Sequence, residues 1–167
     1  MSVAASSVSS GLVLIAALAV AAPAAPQSAT STFSANLGGL AKLSLSSTTL
    51  SFPDADPDTV PLIPAAGGAI TITAKARASL AAAVTLTVVA ADDLRSGLDT
   101  IPASTLTWIA AGTGFVNGTI SRATPQVVGS WTGSGIRTGT QTYHFQNSWT
   151  YKTGTYSVSL LYTLVSP

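Results

Sequence analysis

The sequence predicts an all-β protein: an immunoglobulin-like β-sandwich of about seven to nine strands, with a barrel or jelly roll as the second choice. Three observations carry this. Short runs alternate apolar and polar residues with a period of two, the period of a strand that has one face on a core. No stretch keeps a helical period for long enough to form a stable amphipathic helix. Charged residues make up 8% of the chain and hydrophobic residues 47%. Much of the remainder is Ser, Thr and Gly, which suits a neutral, hydroxyl-faced sheet better than a disordered tail. A chain of 167 residues is long enough for one modest core.

Taken in order, Phe33, Ala35 and Leu37 alternate with Thr32, Ser34 and Asn36 and stop at Gly38 and Gly39. Ala41, Leu43 and Leu45 alternate again, and residues 49–52 resume the pattern before Pro53. Residues 53–68 hold Pro53, Pro57, Pro61 and Pro64 and end on Gly67 and Gly68. Such a run excludes a helix or a central strand and predicts a long loop. Residues 69–76 place Ile70 and Ile72 on one face and Thr71, Thr73 and Lys75 on the other. Residues 82–90 repeat the pattern through Val84, Leu86 and Val88, and the Ala-rich piece between the two reads as a tight connection.

A loop is predicted over 92–97, a strand over 105–110 and a short strand over 127–131, with Gly112, Gly114 and Gly118 as punctuation. Residues 133–139 read as a Gly-rich turn region and 140–146 as a strand. Residues 154–167 are predicted to be the closing strand and the longest one. Tyr156, Val158, Leu160, Tyr162 and Leu164 share its apolar parity, with Thr155, Ser157, Ser159 and Thr163 on the other, joined there by Leu161 and Val165.

The N-terminal thirty residues are a different material. Residues 11–22 (GLVLIAALAVAA) form a continuous apolar run of 12, short for a bilayer span and suited to the core of a signal peptide. Ala19-Val20-Ala21 and Ala22-Pro23-Ala24 each offer a small-residue cleavage pattern, although residues 1–10 lack Lys and Arg. Residues 1–24 are therefore read as a signal peptide, with a retained membrane anchor as the alternative. Residues 25–38 are a flexible N-terminal segment or the first strand, and 39–167 are the sandwich domain. This implies a secreted or cell-surface protein, in the periplasm or cell envelope as variants, with no membrane span after signal cleavage.

The tail also carries a resemblance. Gly154-Thr155-Tyr156, the alternation after it, Tyr162-Thr163-Leu164 and Pro167 resemble the ending of the WxL-type domains of bacterial cell-surface proteins. Those domains close with a Gly-Thr-Tyr-led strand, a Trp-x-Leu tripeptide and a nearby proline; here Tyr162 stands in the tryptophan's place. Leu50-Ser51-Phe52 and the run from Ile101-Pro102 to Trp108 fit the same kind of protein more loosely. The resemblance implies an exported bacterial surface protein. The tail is similar, more weakly, to the last strand of pilins assembled by donor-strand exchange, with Gly154 opening the strand; the Cys pair and penultimate Tyr of those subunits are absent. That similarity implies a donor segment at Phe33, Ala35 and Leu37, giving main-chain bonds to a sheet edge and side chains to alternate pockets. Read from the residues alone, the same three open the chain's own sandwich.

Little chemistry is offered. There is no Cys, so no disulfide or thiolate site, and no Glu. A net charge of +1 with scattered Lys42, Lys75, Arg95 and Arg137 excludes a nucleic-acid partner. Asp54, Asp56 and Asp58 alternate in a Pro-interrupted loop and are a weak calcium candidate. They lack the turn glycine and distal Glu of an EF-hand, and solvated carboxylates are the commoner explanation. Asp92 and Asp93 read as a turn cap and Asn117-Gly118-Thr119 as a turn. His144 is the single histidine, and no nucleophile elbow accompanies it. Neither an enzyme nor a cofactor is expected.

The tryptophans are read as core, Trp108 foremost, while Trp149 and Tyr151 beside the turn 152–154 are a binding candidate for a glycan or partner. The expected function is that of a non-enzymatic structural protein acting in assembly or adhesion through sheet edges. Its partner would be a cell-envelope component or copies of itself. The alternative is a carbohydrate-binding module using the exposed aromatics.

Overall fold

In the computed structural model, which describes residues 32–167, the alternating runs become antiparallel strands. The signal peptide and residues 25–31, the first half of the segment 25–38, lie outside the described residues. The unit Asn36–Pro167 contains β1 (Leu40–Leu45), β2 (Leu62–Pro64), β3 (Ile70–Arg77), β4 (Ala83–Ala90), β5 (Leu94–Ser96) and β6 (Asp99–Ile101). A 3₁₀ turn at Ala103–Thr105 then leads to β7 (Leu106–Ala111), β8 (Gly118–Thr119), β9 (Gln126–Thr132), β10 (Gly135–Gln146) and β11 (Leu160–Val165). One sheet runs β1-β3-β10-β7-β8 with β2 also on β10; the other runs β11-β4-β9; β5 and β6 form a separate hairpin. The protein is an all-β sandwich, and its seven strands of six residues or more carry it. Among the described residues no helix is long and apolar enough to cross a membrane.

Parity places the core. Ile70, Ile72 and Ala74 of β3, Val84, Leu86 and Val88 of β4, and Trp108 and Tyr143 are all buried between the sheets. Their polar neighbours Thr71, Thr73, Thr85 and Thr87 stay partly solvated, as a sheet with one wet face requires.

The scattered glycines have a packing reason. A Cβ at Gly118 would stand 2.3 Å from the Trp108 ring, one at Gly114 2.3 Å from Trp131, and one at Gly139 2.4 Å from Phe115. Each aromatic thus packs directly against a backbone with no side chain. Phe115 then meets Trp131 edge-on, with ring centres 5.0 Å apart. The two indole N–H groups donate to the carbonyls of Val116 (2.8 Å) and Thr113 (2.9 Å), so neither buried donor is left over.

Several expectations are corrected. The longest strand is β10, with 12 residues, and the closing strand has only six. β4 ends at Ala90 opposite Leu160, and beyond it one further bond, from Ala91 N–H to the Ser159 carbonyl (2.9 Å), extends the pairing before the two segments part. The residues before Ser159 are held by β5 instead, through the paired backbone bonds of Arg95 and Ser157. The Gly-rich region 133–139 is a turn only at 133–134; Gly135 and Gly139 belong to β10, the latter beneath the Phe115 ring. Within the proline-rich loop, Leu62–Pro64 pairs with His144, Phe145 and Gln146. The 92–97 loop is half of a hairpin that turns at Gly97, whose φ of +59° favours glycine. Residues 49–52 form no strand, though Leu50 and Phe52 pack on the core. Residues 32–39 form no strand, Phe33 is 92% exposed, and among the described residues the first strand is β1.

Replacing Gly118 by Ala is expected to lower stability by roughly 1–3 kcal/mol through overpacking against Trp108. Gly38, where a Cβ meets nothing within 4 Å, is the control, with a change of about 0.5 kcal/mol or less on replacement by Ala. Urea denaturation of the two variants measures the contrast.

Candidate functional site

The two long sides of the sandwich are built differently. On one side the segment between β7 and β8 stitches the sheets together. Val116 N–H donates to the Val128 carbonyl (2.9 Å), Ser130 N–H donates to the Gly114 carbonyl (3.0 Å), and Phe115 bridges Gly129. On the other side β1 and β11 run near each other as the outer strands of their sheets. Neither has a ladder partner on its outer edge among the described residues. Their inward residues Leu43, Leu45, Leu160, Tyr162 and Leu164 pack on the core but remain only half-buried. Equivalent positions on the inner strands, such as Ile72 and Leu86, are completely buried. The sandwich is closed along one side and open along the other.

Tyr162 ties the open side to the interior. Its hydroxyl donates to Gln141 Oε1 at 2.6 Å and lies 2.5 Å from the Tyr143 hydroxyl, so the Tyr143 proton points to Tyr162 Oη. This chain joins β11 of one sheet to β10 of the other. Gln141 is fully buried, and its Nε2 has no partner among the described residues. Burial pushes the Tyr162 phenol up to about 12. Tyr143 is pushed further in the same direction, first by burial and then by the neighbouring Tyr162.

At the far end of β10 two sequence candidates come together. Asn147 Nδ2 donates to the carbonyls of Ala55 (2.8 Å) and Val60 (3.3 Å), and Asn147 N–H donates to Pro61. This pins the proline-rich loop beside the segment that carries Trp149. The Trp149 indole N–H donates to Asp58 Oδ1 at 3.0 Å while the side chain stays 69% exposed. Tyr151, by contrast, is half-buried and meets Phe145 at 5.8 Å with the rings tilted by 45°, and Phe145 in turn meets Phe52. Trp149 is thus a fixed surface platform, and Tyr151 is largely a packing residue. Asp54 and Asp56 accept the backbone N–H groups of Ala55 and Asp58, as turn carboxylates do. Among the described residues no three carboxylate, histidine or cysteine side chains come together as metal ligands.

The remaining charged groups pair locally. Asp92 accepts from Arg95 at 2.5 Å and from Arg122 at 3.1 Å, and the Arg95 hydrogen bond holds its carboxyl well below the usual range. Asp93 meets Arg122 at 3.2 Å and caps the 3₁₀ turn by accepting the Ala103 N–H. A shallow cleft of about 400 Å³ between Ala103, Ile120 and Gln126 opens beside this network. His144 stands on the outer face of β10 between Pro64 and Thr107. Among the described residues its Nδ1 is unpartnered, so no serine hydroxyl or carboxylate bonds to that atom. In the comparisons with known proteins, no protein family matches the chain and no curated protein matches it.

Sequence reasoning missed the meeting of Asp58 with Trp149, since 91 residues separate them. It also missed the opening between β1 and β11. Only the polarity of Tyr162 inside an apolar parity hinted at the buried hydroxyl chain.

Both buried tyrosines stay protonated in the fold above the pH at which a free tyrosine, near 10, ionises. Their stabilisation is complete below about pH 10 and is lost as pH rises towards 12. Absorbance at 295 nm is expected to show at least two of the four tyrosines ionising only as the fold is lost. Tyr162→Phe should cost about 1–2 kcal/mol in urea denaturation, because Gln141 Oε1 and the Tyr143 hydroxyl lose their partner.

Proposed function

We propose that the protein is an exported, non-enzymatic structural module of the bacterial cell surface that assembles or adheres through its open sheet edges. The supporting observation is the asymmetry of the two sides. A sandwich that stitches one side with backbone bonds and leaves core leucines half-covered on the other presents a template for an added strand. The occupant we assign is the segment Phe33, Ala35 and Leu37 of a second copy. Its apolar residues alternate, it forms no strand within its own chain, and Phe33 and Leu37 are exposed. Strand addition would complete the ladder of β1 or β11 and cover Leu43, Leu45 and Leu164.

Carbohydrate binding is the second reading, favoured by the exposure of Trp149 and by the hydrogen bond that fixes its ring. Sugars stack on such faces. A glycan array decides it: binding abolished in Trp149→Ala supports it, and no binding by the wild type removes it.

For assembly, the secreted chain is prepared with and without residues 25–37. Heat-labile, detergent-resistant multimers are expected from the longer form and monomers from the shorter. Monomers from both would refute strand addition. Phe33→Ser with Leu37→Ser in the full-length secreted chain is expected to act like the deletion.

A further inference from the structure

We infer that copies of this chain associate head to tail, the cationic end of one against the acidic end of the next. The inference rests on the assembly reading but not on its donor segment. The chain has seven Lys and Arg residues and six Asp. Arg95 and Arg122 pair with Asp92 and Asp93, and Lys152 pairs with Asp99. Among the described residues the other charges have no ion-pair partner: Lys42, Lys75, Arg77 and Arg137 on one side, Asp54, Asp56 and Asp58 on the other.

These two sets occupy opposite ends of β10. Lys42 faces Lys75 directly in the β1–β3 register, and Lys75 faces Ile136 at the start of β10. Arg77 faces Leu40, and Arg137 faces Ala74 on the same few residues of ladder. Asp54, Asp56 and Asp58 lie in the loop pinned to Asn147 and Trp149, just past the last residue of β10. Between the ends runs a strand of 12 residues, about 40 Å at the usual rise. That span exceeds several screening lengths at physiological salt, so the poles act as separate sites.

The cationic end is unsatisfied as it stands. Two like charges directly opposite each other on neighbouring strands repel, and a hollow of about 190 Å³ is lined by Lys42, Lys75, Leu43, Ser44 and Thr73. Carboxylates from another molecule would relieve that repulsion. The acidic end offers them on a loop held in place, with Trp149 exposed beside them to receive a cation over its face. Contact between two like ends repels. Association is therefore heterologous and directional, and such contacts grow linearly unless their rotation closes a ring.

Sedimentation velocity on the full secreted chain tests this, using two exposed pairs of charge reversals, Lys42→Glu with Lys75→Glu and Asp54→Lys with Asp56→Lys. Thermal melts confirm that each variant is folded. Wild type is expected to associate at about 20 mM NaCl and to weaken at least tenfold by about 500 mM. Each reversed variant alone should lose this salt-sensitive association: Lys42→Glu with Lys75→Glu cancels the net charge of the cationic end, and Asp54→Lys with Asp56→Lys turns the acidic end net positive. An equimolar mixture of the two should associate again. Reversed variants that associate like wild type, a mixture that stays monomeric, or a wild type monomeric at low salt would each overturn the inference. So would a wild type that stays monomeric yet binds polyglutamate through Lys42 and Lys75, which would make the cationic end a polyanion site. If Phe33→Ser with Leu37→Ser dissolves the multimers while the reversed variants keep them, the donor segment stands and the charged ends do not. If the reversed variants dissolve the multimers while Phe33→Ser with Leu37→Ser keeps them, the charged ends stand and the donor segment does not.

Discussion

Aromatic rings laid directly on glycine backbone set the build of this sandwich. Trp108 on Gly118, Trp131 on Gly114 and Gly129, and Phe115 on Gly139 are contacts that no Cβ would allow. They concentrate on the side where β7, β8 and β9 meet, and they draw the segment around Phe115 close enough to bond across to β9. The same close approach is not available on the opposite side. There, β1 and β11 present leucines, which need depth to be buried and have none beyond the last strand of each sheet. One side closes because its aromatic bulk packs directly against bare glycine backbone. The other stays open because its leucines sit on the outer strands and remain half-buried.

Tyr162 shows how the open side is nonetheless anchored. A tryptophan at that position would offer a single donor and no acceptor. The tyrosine hydroxyl gives a proton to Gln141 and takes one from Tyr143, so one side chain satisfies two buried groups on the facing sheet. Tyr162 thus has a structural task within the fold. Such a hydroxyl chain is costly to disturb, since removing its middle member strands both ends. It holds β11 in register while leaving the outer edge of that strand unpaired.

The strands with clean alternation were legible because burial on one face writes the same period into the residues. Ile70 and Ile72, Val84 to Val88, and Leu160 to Leu164 face the core as read. What was not legible depended on contacts between distant segments. Gly135 and Gly139 look like turn residues alone, and only the Phe115 ring explains one of them inside a strand. The short pairs β2, β5, β6 and β8 have too few residues to show a period. Trp149 was readable as a surface residue, whereas its bond to Asp58 and the half-burial of Tyr151 against Phe145 were set by how two loops meet. The division of unpaired charge between the ends of β10 was hidden for the same reason, since Lys42, Lys75 and Arg137 look scattered along the chain.

The central claim is that β1 and β11 border an open side made to receive another chain. Amide hydrogen exchange read strand by strand tests it most directly, comparing dilute monomer with assembled protein. The amides of β1 that do not bond to β3 should exchange rapidly in the monomer and become protected on assembly, while β7 to β9 stay protected in both. Strong protection of every β1 amide in the dilute monomer, or no gain at β1 and β11 on assembly, would contradict the claim.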